Sequence, residues 1–196
     1  MGRQSEERIQ DERGSLNRAK RFYDKQVKDQ LTPVMQEFIR RQQMMFVATA
    51  DTGGCCDCSP RFGAPGFIKI VDPKTLAYPE FRGNGVFASL GNIAENPAVG
   101  LLFIDFLQTS VGLHVNGKAE RHDPNDGPTA LDLVTQNYGT SGGRLVEQWV
   151  FVTIEEAYIH CSKHVPRFQP VPRNISWGTD DATLKSDQYF LTPKSK

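Results

Sequence analysis

Residues 111–116 read Val-Gly-Leu-His-Val-Asn. The apolar Val111, Leu113 and Val115 alternate with Gly112, His114 and Asn116, and a repeat of two is the spacing at which a strand sends successive side chains to opposite faces. One face of this segment is expected in a core and the other in solvent. Upstream, Val99-Gly100-Leu101-Leu102-Phe103-Ile104 and Gly85-Val86-Phe87-Ala88-Ser89-Leu90 are two further β-prone runs, separated by Asn92 to Pro97, which has room for one helical turn. Earlier still come Thr75 to Tyr78, Phe67 to Val71 ended by Asp72-Pro73, and Met45 to Ala50 closed by the turn signal Asp51-Thr52-Gly53-Gly54. Downstream, Trp149 to Ile154 with Ala157 to His160 reads as a final long strand or a strand pair, preceded by a short helix over Pro128 to Tyr138.

One helix is spelled out at the start: Leu31, Val34, Met35, Phe38 and Ile39 follow the stripe of an amphipathic helix, with Thr32 as its cap and Pro33 at its first position. At least six short strands, with helices mostly near the start and late in the chain, fit an antiparallel β-barrel better than a repeating βαβ unit. The expected class is mainly β. Three segments follow: a charged arm over 1–26, the barrel over 27–164 and a Pro-rich, polar tail over 165–196. No internal repeat is visible.

The 196 residues carry 23 basic and 23 acidic side chains, a formal charge of +0. That balance provides no broad attraction for nucleic acid or an anionic membrane. No apolar run approaches the roughly 20 residues that span a bilayer, and Met1 to Lys20 lacks the apolar centre of a secretory signal, so cytoplasmic residence is expected. Cys55, Cys56 and Cys58 crowd one segment while Cys161 lies far away, a pattern read as reduced thiols. A zinc site would need a second ligand pair at the right spacing, so no metal is expected.

Three constellations have the chemistry to hold an anion. In Asp57 to Phe67, Arg61 with the Ser59 hydroxyl and Gly/Pro turns is a phosphate seat or an irregular loop with Arg61 in solvent. Arg82-Gly83-Asn84-Gly85 is a type I' hairpin turn or, with Ser89 and Asn92 at the start of a helical turn, a second group of anion donors. In Tyr158 to His164, His160 and Lys163 either face a phosphate or a reduced flavin edge, or lie in solvent. His114 and His122 read as structural or surface groups. There is no Gly-x-Gly-x-x-Gly after a first strand, no Walker loop and no His-Glu-x-x-His.

Taken in order, LTPVMQEFIRRQQMMFVATAD, DCSPRFGAPGFIKIVD, LAYPEFRGNGVFASLGNIAENPAVGLLFIDF, GLHVNGKAE and EEAYIHCSKHVPR resemble the FMN-binding split-barrel superfamily, specifically proteins related to pyridoxamine 5'-phosphate oxidase. The resemblance runs from about Phe22 to Lys163. It implies a six-stranded split barrel, a homodimer, and two FMN molecules in clefts at the subunit interface. It also implies phosphate and ribityl contacts from Ser59, Arg61, Asn84, Ser89 and Asn92, and a ring bordered by Phe67 and Ile68. His160, Lys163 and Trp149 would then lie near the neighbour's cofactor. The Arg-Leu-x-Pro type ending of true pyridoxamine phosphate oxidases has no equivalent in Leu191 to Lys196, so their substrate is not implied. The expected function is an FMN-dependent oxidoreductase working between a reduced donor and a small-molecule acceptor, with no side chain singled out as acid or base. A deazaflavin-dependent reductase and a non-catalytic flavin binder or sensor are the alternatives.

Overall fold

A computed structural model describes residues 4–124, 146–172 and the single positions 181, 183 and 190. Two charged helices come first, α1 (Gln4–Glu12) and α2 (Leu16–Gln26), neither with a buried residue. The segment after them hydrogen-bonds along the sheet through Lys28, whose N–H donates to the Ala157 carbonyl at 2.9 Å and whose carbonyl accepts from the Ala157 N–H at 2.7 Å. The helix α3 (Pro33–Arg40) starts as its sequence dictates: the Thr32 hydroxyl accepts the Met35 N–H at 3.3 Å, and Pro33 occupies a position whose N–H would find no helical acceptor.

Among the described residues seven strands follow, one more than the six the resemblance implies: β1 (Met44–Ala50), β2 (Cys56–Phe62), β3 (Lys69–Asp72), β4 (Thr75–Phe81), β5 (Ala98–Ile104), β6 (Gly112–His122) and β7 (Val146–His160). They form one antiparallel sheet in the order β2-β1-β5-β6-β7-β4-β3. The alternation read from 111–116 holds, with Leu113 and Val115 in the core and His114 and Asn116 on the outward face. Met45, Val47, Leu101, Phe103, Leu76, Tyr78, Val150 and Val152 join the same core, beneath which α3 contributes Phe38 and Ile39.

The sheet curls without a ladder joining its ends: among the described residues β2 pairs only with β1, and β3 only with β4. An ion pair from β2 to β4 bridges the gap instead, and the helix α4 (Ala88–Glu95) packs against β1, β2 and β6. The long strand β7 carries a bulge where Asn116 pairs with Glu156 but Gly117 pairs with Ile154, leaving Glu155 as the extra residue. A Cβ on Gly117 would overlap the Thr153 carbonyl oxygen, so this close approach requires glycine.

Two sequence expectations are corrected. Residues 85–90 are not a strand: the chain loops through Arg82 to Phe87 and enters α4 at Ala88, so Asn84-Gly85 does not close a hairpin. The segment around Ser59 and Arg61 is not an irregular loop but the edge strand β2, in which Pro60 is tolerated because an edge leaves one side of the backbone unpaired. The helix expected over Pro128 to Tyr138, and most of the 165–196 tail, lie outside the described residues. No helix among the described residues is long and apolar enough to cross a membrane.

Candidate functional site

Edge strand β2 turns its odd-numbered side chains inward at the open seam, so Asp57, Ser59 and Arg61 enter the barrel mouth rather than an apolar core. There Arg61 meets Glu80, which β4 directs inward on the same face as Leu76 and Tyr78. Arg61 Nε donates to Glu80 Oε1 and Oε2 at 2.8 and 2.9 Å, and its Nη2 lies 2.8 Å from Oε1. The side chains are 18% and 11% exposed. Burial pushes the Glu80 carboxyl above the usual carboxylate range, opposed by the Arg61 hydrogen bonds.

A second carboxylate organises the serines. Ser89 Oγ donates to Asp57 Oδ2 at 2.8 Å, Ser59 Oγ lies 3.3 Å from the same oxygen and 3.1 Å from Ser89 Oγ, and Arg61 Nη1 donates to Ser59 Oγ at 2.8 Å. Each serine has one hydroxyl proton, and both protons are taken up within this network. What the network offers a ligand is oxygen lone pairs. It fits a hydroxyl or amide that donates, and it does not fit a phosphate, which only accepts.

Donors for an anion line the same cleft. The loop from Arg82 to Phe87 and the first turn of α4 line it, and no side chain caps that helix. The leading N–H groups of an uncapped helix lack intrahelical acceptors, which makes the turn a natural anion seat. Phe87, its N-cap residue, sits at φ 54 in the left-handed region, a strained conformation for a non-glycine residue. Asn84 Oδ1 accepts the Val86 N–H at 3.0 Å and so shapes this loop. Arg82, 3.9 Å from Glu147 and 43% exposed at its side chain, supplies a cation at the rim. The cleft measures about 660 Å³.

The structure thus gathers Ser59, Arg61, Asn84 and Ser89 around one cleft. Asn92 turns away, its Nδ2 donating to Thr49 Oγ1 at 3.0 Å. Phe67 and Ile68 are core residues, 1% and 2% exposed, and do not border an open slot. Trp149 is likewise buried, against Ala77, Val146 and Phe151. His160 lies on the outward face, its Nδ1 3.0 Å from His114 Nε2, and Lys163 is exposed on a short 3-10 turn over Ser162–His164. Asp57 and Glu80 are site residues that motif reading passed over. A larger cleft of about 910 Å³ between the arm and the sheet is lined by Glu6, Asp57, Glu155 and Glu156 and by no Lys, Arg or His, so it is ill suited to a phosphate. No group of three or more His, Cys, Asp or Glu side chains among the described residues is placed to hold a metal ion, and the four cysteines are unpaired and exposed.

The family profile described as pyridoxamine 5'-phosphate oxidase matches residues 31–161, about two thirds of the chain. The chain belongs to this family, whose split-barrel fold it shares. Among solved structures, HupZ of Group A Streptococcus is similar at 21% identity and a TM-score of 0.50, the match covering 71% of this chain and 99% of that one. A candidate pyridoxamine 5'-phosphate oxidase from Lactobacillus delbrueckii gives 20% identity and a TM-score of 0.50, over 67% of this chain and 95% of that one. No curated protein matches the chain significantly.

Proposed function

We propose that this protein binds FMN in the cleft between β2, β4 and α4 and works as a flavin-dependent oxidoreductase, the ring being completed by a second copy of the chain. The observation that carries the reading is that one cleft holds both an acceptor group and a donor group. The Asp57–Ser59–Ser89 network presents lone pairs suited to the ribityl hydroxyls, and the uncapped first turn of α4 with Arg82 presents donors suited to the phosphate. This allocation differs from a phosphate held by Arg61: that guanidinium has its fork on Glu80, and its part is to fix Ser59 in position.

Bound flavin supplies hydride or electron transfer between a reduced donor and a small acceptor. The chain's own residues bind it, orient it and limit water. Covering the open side requires a second wall. The outward face of the sheet is suited to a second copy, because Pro60, Phe46 and Leu102 lie side by side in register, continued by His114 and Tyr158. A symmetric dimer burying more than about 1,000 Å² is expected.

Mass spectrometry of the chromophore released from the purified protein tests the cofactor, with FMN the expected mass. A colourless protein that also fails to bind added FMN overturns the reading; release of a deazaflavin supports the alternative reductase. Arg82→Ala tests this allocation. It is expected to weaken FMN by about 1–2 kcal/mol, as for an exposed charge-assisted contact, with little change for riboflavin. Equal losses for the two ligands exclude Arg82 from the phosphate.

A further inference from the structure

Two imidazoles meet on the outward sheet face. His114 on β6 and His160 on β7 approach at 3.0 Å between Nε2 and Nδ1. His114 also stacks on Tyr158, with ring centroids 4.7 Å apart and an interplanar angle of 17°. On its other side β5 contributes Leu102, the cross-strand partner of His114, and no titratable group. From β7, Glu156 is held by Asn116 Nδ2 at 2.8 Å, and from α2 Phe22 reaches the Tyr158 ring edge-on at 6.1 Å. Glu6 and Tyr23 of the arm and Glu155 line the neighbouring cleft, and Lys163 and His164 stand exposed beyond the end of β7.

A neutral pair holds this geometry with one imidazole donating and the other accepting. A first proton can be added with the contact kept, the protonated ring donating to the neutral one. A second proton puts N–H against N–H and the contact must break. Both steps place positive charge in or beside the row in which Phe46, Leu102 and Pro60 lie in register with His114. Burial, and after it the neighbouring His160, holds the His114 ring below the usual histidine range, while Glu156 acts in the opposite sense.

We infer that the His114–His160 pair makes association with a second copy acid-sensitive: neutral, it completes the apolar row; protonated, it charges the surface the second copy covers. The inference rests on the second-copy reading above. The unassociated chain already holds the His114 ring below the ordinary histidine value, so the association is strongest with that ring neutral and is lost as pH falls through this lowered value.

Sedimentation of the full chain at pH 7.5 and at pH 5.0 tests this. The wild-type dissociation constant is expected to rise at least about tenfold at the lower pH, and His114→Phe, which keeps an aromatic ring on Tyr158, is expected to bring the change below about threefold. His160→Gln provides a second variant, removing one of the two paired rings, and is expected to show a smaller pH effect than wild type. A wild-type monomer at both pH values overturns the second-copy reading itself. A dimer with the same dissociation constant at both overturns the acid switch alone. Full pH dependence in both variants also overturns it, assigning the effect to other groups.

Discussion

Removing Arg61 should destabilise the fold more than it affects any ligand. Arg61→Ala would leave Glu80, a residue only 8% exposed, without the guanidinium that takes both of its oxygens. Breaking a buried pair from one side costs roughly 3–5 kcal/mol, and the partial exposure of Arg61 lowers the expectation to about 3 kcal/mol. Urea unfolding at pH 7.5, followed by tryptophan fluorescence with the m-value held as a check on two-state behaviour, measures it. The double variant Arg61→Met/Glu80→Leu removes both charges and should regain most of the loss, because a paired burial and an apolar one are often close in energy. The pH dependence gives a second handle. Glu80 is already raised by burial, and without Arg61 it rises further. A carboxyl raised in the folded state favours the protonated form, so the Arg61→Ala deficit should be full above the folded Glu80 value. It should shrink as pH falls through that value. A deficit below about 1 kcal/mol, or one that grows on acidification, would refute the reasoning.

Two smaller perturbations test the core. The Tyr78 hydroxyl is fully buried with no hydrogen-bond partner among the described residues, and burial pushes it well above the usual phenol range. Tyr78→Phe should therefore be neutral or stabilising by up to about 1 kcal/mol in thermal unfolding; a loss larger than that would mean the hydroxyl has a partner. Gly117→Ala should destabilise by about 2 kcal/mol or more, since its Cβ meets backbone that cannot step aside, and unchanged stability would show the bulge relaxing.

Much of this architecture was legible because local signals and the core agreed. Thr32-Pro33 set the start of α3, and the alternation in 111–116 set the faces of β6. The interruption between Ile154 and Ala157 that divides the last β-prone run in two is the Glu155 bulge, so the sequence pattern breaks where the strand does. The strand β2 escaped reading because its inward positions are Asp57, Ser59 and Arg61. At a seam the interior is polar, and the apolar period that betrays a strand is absent. Conversely, Val86, Phe87 and Leu90 imitate a strand at the entry to α4, where Phe87 turns left-handed. Glu80 was hidden for a different reason. Its place two residues after Tyr78 puts a carboxylate on the inward face, but only its partner 19 positions away makes that place tenable.

A sheet whose ends are joined by side chains has a weak direction. The edge of β2 that faces away from β1 has no ladder beyond it among the described residues, so its opening does not require the core strands β5, β6 and β7 to move. Amide hydrogen exchange should therefore be fastest in Cys56–Phe62 among the strands that flank the cleft, and slower in the centre of the sheet. A ligand that touches β2, β4 and α4 at once acts as a second clasp. Its binding free energy should appear as added exchange protection at both edges of the seam, while the amides of the central strands, already limited by global unfolding, gain only what the whole molecule gains.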